Sequence, residues 1–140
     1  MTLIINSLDE IAHQYDALFV DLWGCVHNGI TAYKSAVEAL IKYRKTGGKV
    51  VLLTNSPRPR VGVEKQLHHL NVPTTCFDTV ATSGYSARAA MFTGVVGKKV
   101  FFIGEPRDQL FFDPISIIKS PIEVDQVSLN DAEAVSYTHL

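Results

Sequence analysis

The chain has little of what marks the specialised protein classes. Of its 140 residues only two are cysteine, Cys25 and Cys76, 51 positions apart and with no C-x-x-C spacing. That excludes a disulfide framework and a structural zinc site. Neither sign of charge is in excess: 13 Lys plus Arg stand against 14 Asp plus Glu, a formal net charge of −1. A strongly basic nucleic-acid binder and an acidic solvating tail are both excluded, and no nucleic-acid partner is expected. No apolar run approaches the ~18 residues of a membrane span. The strongest, Val50-Val51-Leu52-Leu53, is far too short, and no membrane partner is expected. Residues 1–5 lack a basic flank and are followed at once by Asn6, Asp9 and Glu10. No secretory signal is expected, and the expected compartment is the cytoplasm. Oligomeric state is left open by the sequence.

What is present is the composition of an ordinary globular domain, 46% hydrophobic and 19% charged. Short apolar runs alternate with longer amphipathic ones, the pattern of βα units on a parallel sheet. Ser7-x-x-Glu10 is a capping box that predicts a short helix over 8–14. Residues 17–22 read as a strand buried on both faces, because they are nearly continuous in apolar side chains. The spacing of Val37, Leu40, Ile41 and Arg44 predicts a helix over 35–46, closed by Gly47-Gly48. A second strand is predicted over 49–54, a turn over 55–59, and a helix over 60–70. A third strand follows at 78–81, an Ala-rich helix at 83–92, and a fourth strand at 99–103. Beyond Gly104 the pattern weakens to a helical 107–112 and an extended 122–124.

In an open parallel sheet, ligands sit beyond the carboxyl ends of the strands. Asp21 ends the first strand and is followed by Leu22-Trp23-Gly24-Cys25-Val26. A carboxylate there can act as a nucleophile or as a cation ligand, and it reads equally well as the cap of a turn. Thr54-Asn55-Ser56 ends the second strand, where hydroxyls and turn amides suit a phosphate oxygen or simply cap the next helix. The two groups end adjacent strands and so converge on one edge. Arg58 and Arg60 add charge suited to phosphate, or are solvated turn cations. Thr82-Ser83-Gly84 reads as a helix N-cap before it reads as an anion site. His68 and His69 are adjacent on a helix, project about 100° apart and cannot chelate on one face. His27 is a loop residue near the candidate site, and Trp23 and Tyr33 are candidates for its mouth or for loop packing.

Together these motifs resemble those of the haloacid dehalogenase superfamily. Asp21-Leu22-Trp23-Gly24-Cys25-Val26-His27-Asn28-Gly29 resembles its first motif, and Val50 to Ser56 its second, an apolar strand ending in Thr or Ser. Thr82-Ser83-Gly84 and Val100 to Glu105 resemble signatures of class IIA, the group with sugar-phosphate and p-nitrophenyl phosphatases. The D-L-W-G run is most similar to one branch of that class. The resemblance covers nearly all of residues 15–112. It implies an α/β fold, a Rossmann-like parallel sheet with flanking helices, followed by the beginning of an α/β cap. It implies Asp21 as nucleophile and Mg2+ ligand, the Trp23 main-chain carbonyl as second ligand, and Thr54, Asn55, Ser56 and Arg58 around a phosphoryl group. The implied reaction is magnesium-dependent hydrolysis of a small phosphorylated metabolite through an aspartyl-phosphate. The family's second acid, which protonates the leaving group, falls where this chain has Trp23. Two further readings therefore stand beside the first: the same fold with non-phosphatase chemistry, and a non-catalytic module that binds a phosphorylated ligand or a partner.

The resemblance divides the chain into an N-terminal part of the core at 1–88 and the beginning of a cap at 89–134. The family's later motifs, a Lys or Arg and then paired acids, lie beyond a full cap, so the chain reads as an N-terminal fragment that is inactive alone. Residues 135–140, V-S-Y-T-H-L, match the translation of a transposase mosaic-end adaptor used in sequencing libraries, GTC TCT TAT ACA CAT CT. They show no helical or strand logic, and are expected to be an adaptor tail rather than gene-encoded sequence.

Overall fold

The structure, a computed structural model, describes residues 4–116 and 118–137. The chain forms two compact units. One holds the residues up to Ser56 together with Arg60–Thr82; the other holds Pro57–Pro59 together with the residues from Ser83 on.

The first unit is a three-stranded parallel sheet in the order β1-β2-β3, with β1 at Ala17–Asp21, β2 at Lys49–Thr54 and β3 at Thr79–Thr82. Its helices are α1 (Asp9–Ala12), α2 (Lys34–Lys45) and α3 (Arg60–His69). Parallel neighbours need a crossover, and α2 and α3 are those crossovers. β1 stops at Asp21, one residue short of the sequence expectation. The Leu22 carbonyl leaves the ladder and accepts the amides of Cys25, Val26 and His27 instead. The capping box at α1 forms only in part: Glu10 Oε1 accepts the Asn6 and Ser7 amides at 2.8 and 3.1 Å, but no side chain caps the helix start.

The core lies on one face of this sheet. Val50, Leu52 and Val80 point into it and meet Leu40 and Tyr43 of α2, Val63 and Leu67 of α3, and Val26, Val72, Cys76 and Phe77 of the loops. Gly47, at φ +95°, turns the chain out of α2 as a left-handed cap. Gly48 has no side chain because the Tyr43 ring fills that space, and the Tyr43 hydroxyl donates to the Tyr15 carbonyl at 2.7 Å. Asp78 ties the unit together. It receives Arg44 through two hydrogen bonds of 2.9 and 3.1 Å and the Val50 amide at 2.8 Å. These donors, the Val50 amide first, hold its carboxyl below the usual carboxylate range.

The other face departs from expectation. β1 reads as a strand buried on both sides, yet Phe19 is 73% exposed and only alternate residues are covered. The core of this unit lies on one side only, and on the other side of β1 and β2 Phe19 and Leu53 stay exposed.

The second unit starts with α4 (Ser83–Phe92) and carries its own parallel sheet in the order β5-β4-β6, with β4 at Lys99–Ile103, β5 at Asp125–Gln126 and β6 at Ala134–Tyr137. Met91, Phe92, Val100 and Ile115 form its core. The Glu133 carboxylate accepts the Lys98 and Lys99 amides at 2.6 and 3.0 Å, and this holds it below its ordinary range. Three sequence expectations change here. The helical 107–112 begins one residue earlier, at Pro106, and is a 3-10 helix through Phe112. The extended segment is Asp125–Gln126, not 122–124. Residues 135–137 of the expected tail complete β6 beside β4. A strand partner needs only backbone donors and acceptors, and here the small Ala134 and Ser136 alternate with the more exposed Val135 and Tyr137. The last three residues of that tail lie outside the described residues.

Candidate active site

Asp21 and Thr54 end neighbouring parallel strands on the same, carboxyl edge of the first sheet. Asp21 pairs in register with Leu53, so Thr54 stands one residue further along. Strand alternation puts the Asp21 side chain on the bare face, with Phe19 and Leu53, and Thr54 on the covered face, with Leu52. A group held by both must therefore sit over the edge itself. Thr54 pairs with Thr82 in the next strand, which places a second hydroxyl residue, itself buried, along that edge. The Thr54 Oγ1 accepts the Ser56 amide at 3.2 Å. A hydroxyl that accepts in this way still has its own proton to donate, as binding of an anionic oxygen requires. Asn55 and Ser56 form the turn directly after β2. Arg58 lies in the 57–59 stretch, which groups with the second unit rather than the first.

The loop after Asp21 is a compact hydrogen-bonded turn. Gly24, at φ +79°, donates its amide to the His27 carbonyl at 2.8 Å, and Trp23 and His27 form a short bridge. The Trp23 and His27 rings meet edge to face, with centroids 5.9 Å apart. His27 is 3% exposed. Its Nδ1 accepts the Gly29 amide at 3.0 Å, which assigns the remaining ring proton to Nε2. Burial lowers the His27 pKa, and the nearby negative charge of Asp21 opposes that shift. His27 is thus a neutral donor in the electrostatic reach of Asp21, a position that the sequence located only as a loop near the site.

Gly29 explains the turn's shape. Its φ is +89°, and a Cβ built on it would fall 2.4 Å from two atoms of the Trp23 ring. The indole therefore lies directly on a residue that has no side chain. The spacing of Gly24 and Gly29 around His27 was the signal available in the sequence, but not its meaning.

The oxygen donors at this edge suit a hard divalent cation. Asp21 offers a carboxylate. Among the described residues the turn's backbone hydrogen bonds end on the Leu22, Val26 and His27 carbonyls and not on that of Trp23. Magnesium is held through one or two carboxylates, with waters and substrate phosphate completing an octahedron. Asp21 and the Trp23 carbonyl fit part of that shell. Among the described residues no cluster of three or more His, Cys, Asp or Glu could hold a metal by itself, and His68 and His69 form none. The first turn of α4, the other candidate anion site, meets protein: the Pro57 carbonyl fills the space against Gly84. A surface recess of about 270 Å3 lined by Glu64, His68, Val72, Thr74, Phe77 and Asp78 lies at the amino end of β3, away from the carboxyl edge.

A parallel sheet with a carboxylate and a hydroxyl ending adjacent strands defines a class of α/β proteins with a strand-edge site. Residues 18–114 match the family model for haloacid dehalogenase-like hydrolases. The chain belongs to that family. A crystal structure of a haloacid dehalogenase-like family hydrolase from Brucella suis 1330 superposes with a TM-score of 0.80 at 36% identity, over 99% of this chain and 49% of that one. The chain thus spans about half the length of this relative. No curated protein matches it. Among the described residues no helix is long and apolar enough to cross a membrane.

Proposed function

We propose that this chain is the N-terminal half of a cytoplasmic class IIA hydrolase that removes the phosphoryl group from a small phosphorylated metabolite with Mg2+. In the proposed division, residues 1–88 belong to the core and 89–134 begin a cap. The observation that carries the reading is the placement of Asp21 and Thr54 at the ends of adjacent parallel strands, within the stretch matching the hydrolase family.

In this reading an Asp21 carboxylate oxygen attacks phosphorus, and the bond from phosphorus to the leaving oxygen breaks with its electron pair on that oxygen. Water then cleaves the aspartyl-phosphate, which releases phosphate and restores the carboxylate. The Thr54 hydroxyl and the turn at Asn55 and Ser56 hold phosphoryl oxygens. Bound Mg2+, on Asp21 and the Trp23 carbonyl, would neutralise phosphoryl charge. In this reading the family's later motifs, a Lys or Arg and paired acids, complete the site, so the 140-residue chain is expected to be inactive alone.

The test is magnesium-dependent hydrolysis of p-nitrophenyl phosphate by the full-length protein, its Asp21→Asn variant and the 140-residue chain. The account expects turnover only in the first. Equal rates in the full-length protein and the variant would move the nucleophile elsewhere. Equal rates in the full-length protein and the short chain would show that the site is complete within it.

A further inference from the structure

We propose that Trp23 is a specificity-determining platform, selecting phosphate monoesters whose leaving group is a planar aromatic alcohol. The proposal rests on the reading of Asp21 as the phosphoryl acceptor. Trp23 is 66% exposed although its ring packs against Gly29 and the His27 ring. One side is occupied by Gly29, where any side chain would collide with the indole. The buried His27 ring stands perpendicular to the indole, and it lies within the field of Asp21. An exposed large apolar side chain on a surface loop is ordinarily mobile. This one packs against its own turn, keeps about two thirds of its surface in solvent, and stands two residues from the proposed nucleophile. Ile30 of the same loop is also exposed.

Two consequences of the one residue agree. An indole face attracts a flat π-system through offset stacking or edge contacts, which adds about 0.5–1.5 kcal/mol beyond area burial, roughly 2–12-fold in affinity. An indole cannot donate a proton to a departing oxygen, since its N–H is a hydrogen-bond donor only. General acid catalysis is worth about 10²–10⁴-fold where the leaving group needs it. A phenol-type leaving oxygen, with a pKa near ~10, departs as the anion far more readily than an aliphatic alkoxide. The residue that removes the acid therefore supplies the surface suited to leaving groups that do without one.

Trp23 is the sole tryptophan of the chain, so its emission reports occupancy directly. The 140-residue chain is titrated in Mg2+ with phenyl phosphate, glycerol 3-phosphate and inorganic phosphate, following emission and, in parallel, calorimetry. The expected result is quenching by phenyl phosphate and an affinity about 2–12-fold above that of glycerol 3-phosphate. In calorimetry the ratio should persist in Trp23→Phe and fall to about one in Trp23→Leu. Equal affinities for the two esters in the wild-type chain, or an undiminished ratio in Trp23→Leu, would overturn the platform and leave the phosphoryl site standing. If the 140-residue chain binds none of the three, the same calorimetry on the full-length protein decides, and binding of none there would overturn the phosphoryl site and the platform with it.

Discussion

Leu52 and Leu53 are the same residue, adjacent on one strand, and they live in different environments. Leu52 is 0% exposed, packed beneath α2 and α3, whereas Leu53 is 49% exposed on the side that carries Phe19 and Asp21. The first sheet thus has a finished face and an open one, although β1 and β2 carry apolar residues on both. A strand buried on one face only would alternate apolar with polar; a near-continuous apolar run is the mark of a strand covered on both faces. The sequence of β1 and β2 is written for two covered faces, and the core of the first unit covers one. The relative from Brucella suis is about twice as long as this chain. The difference between the faces also locates the chemistry, because the proposed nucleophile leaves the sheet on the open side.

The sharpest way to break this comparison is to truncate both leucines in the 140-residue chain. Leu52→Ala should destabilise it by about 2–5 kcal/mol in urea denaturation, through lost burial and a residual cavity. Leu53→Ala should change it by less than about 0.5 kcal/mol. Similar losses at both positions would show that the open face is covered in solution.

A smaller effect is expected at the edge turn. Gly29→Ala forces a side chain into a left-handed backbone and against the indole, which should cost about 1–2 kcal/mol from the backbone alone. The Trp23 emission should shift to the red as the ring is displaced. An unchanged spectrum would mean that the indole is not seated on Gly29.

The mildest effect concerns the finished face, where Asp78 joins α2 to the starts of β2 and β3. Its folded pKa is lowered, so its contribution is complete above the unfolded value of about 3.9 and is lost as pH falls through the lower folded value. The melting temperature of the wild-type chain should drop over that acid range. Asp78→Asn should be less stable than wild type near neutrality and should lose part of the acid-dependent drop. A parallel pH profile in the two proteins would remove Asp78 as the tie.

How much could be read beforehand follows the physics of each signal. β2, α4 and β4 fall at the residues expected, because each is a periodic run bounded by glycine, proline or a cap. Asp21 and Thr54 were legible as strand ends, since a polar residue closing an apolar run at a parallel edge is itself a local pattern. The bare face was not legible: alternation tells which residues share a face, not whether anything packs on it. The seat of Trp23 on Gly29 was hidden too, since it depends on a positive φ and on a ring folded back over the turn. The strand at 134–137 escaped because pairing to an existing edge uses backbone groups that every sequence has.

The central claim, that the carboxylate ending β1 accepts the phosphoryl group, is tested most directly by trapping the covalent intermediate. The full-length protein is quenched during turnover of phenyl phosphate, the acyl-phosphate is reduced with borohydride, and the modified peptide is located by mass spectrometry. The account predicts modification of Asp21, and none in Asp21→Asn. Modification at another carboxylate, with Asp21 untouched during turnover, would contradict it.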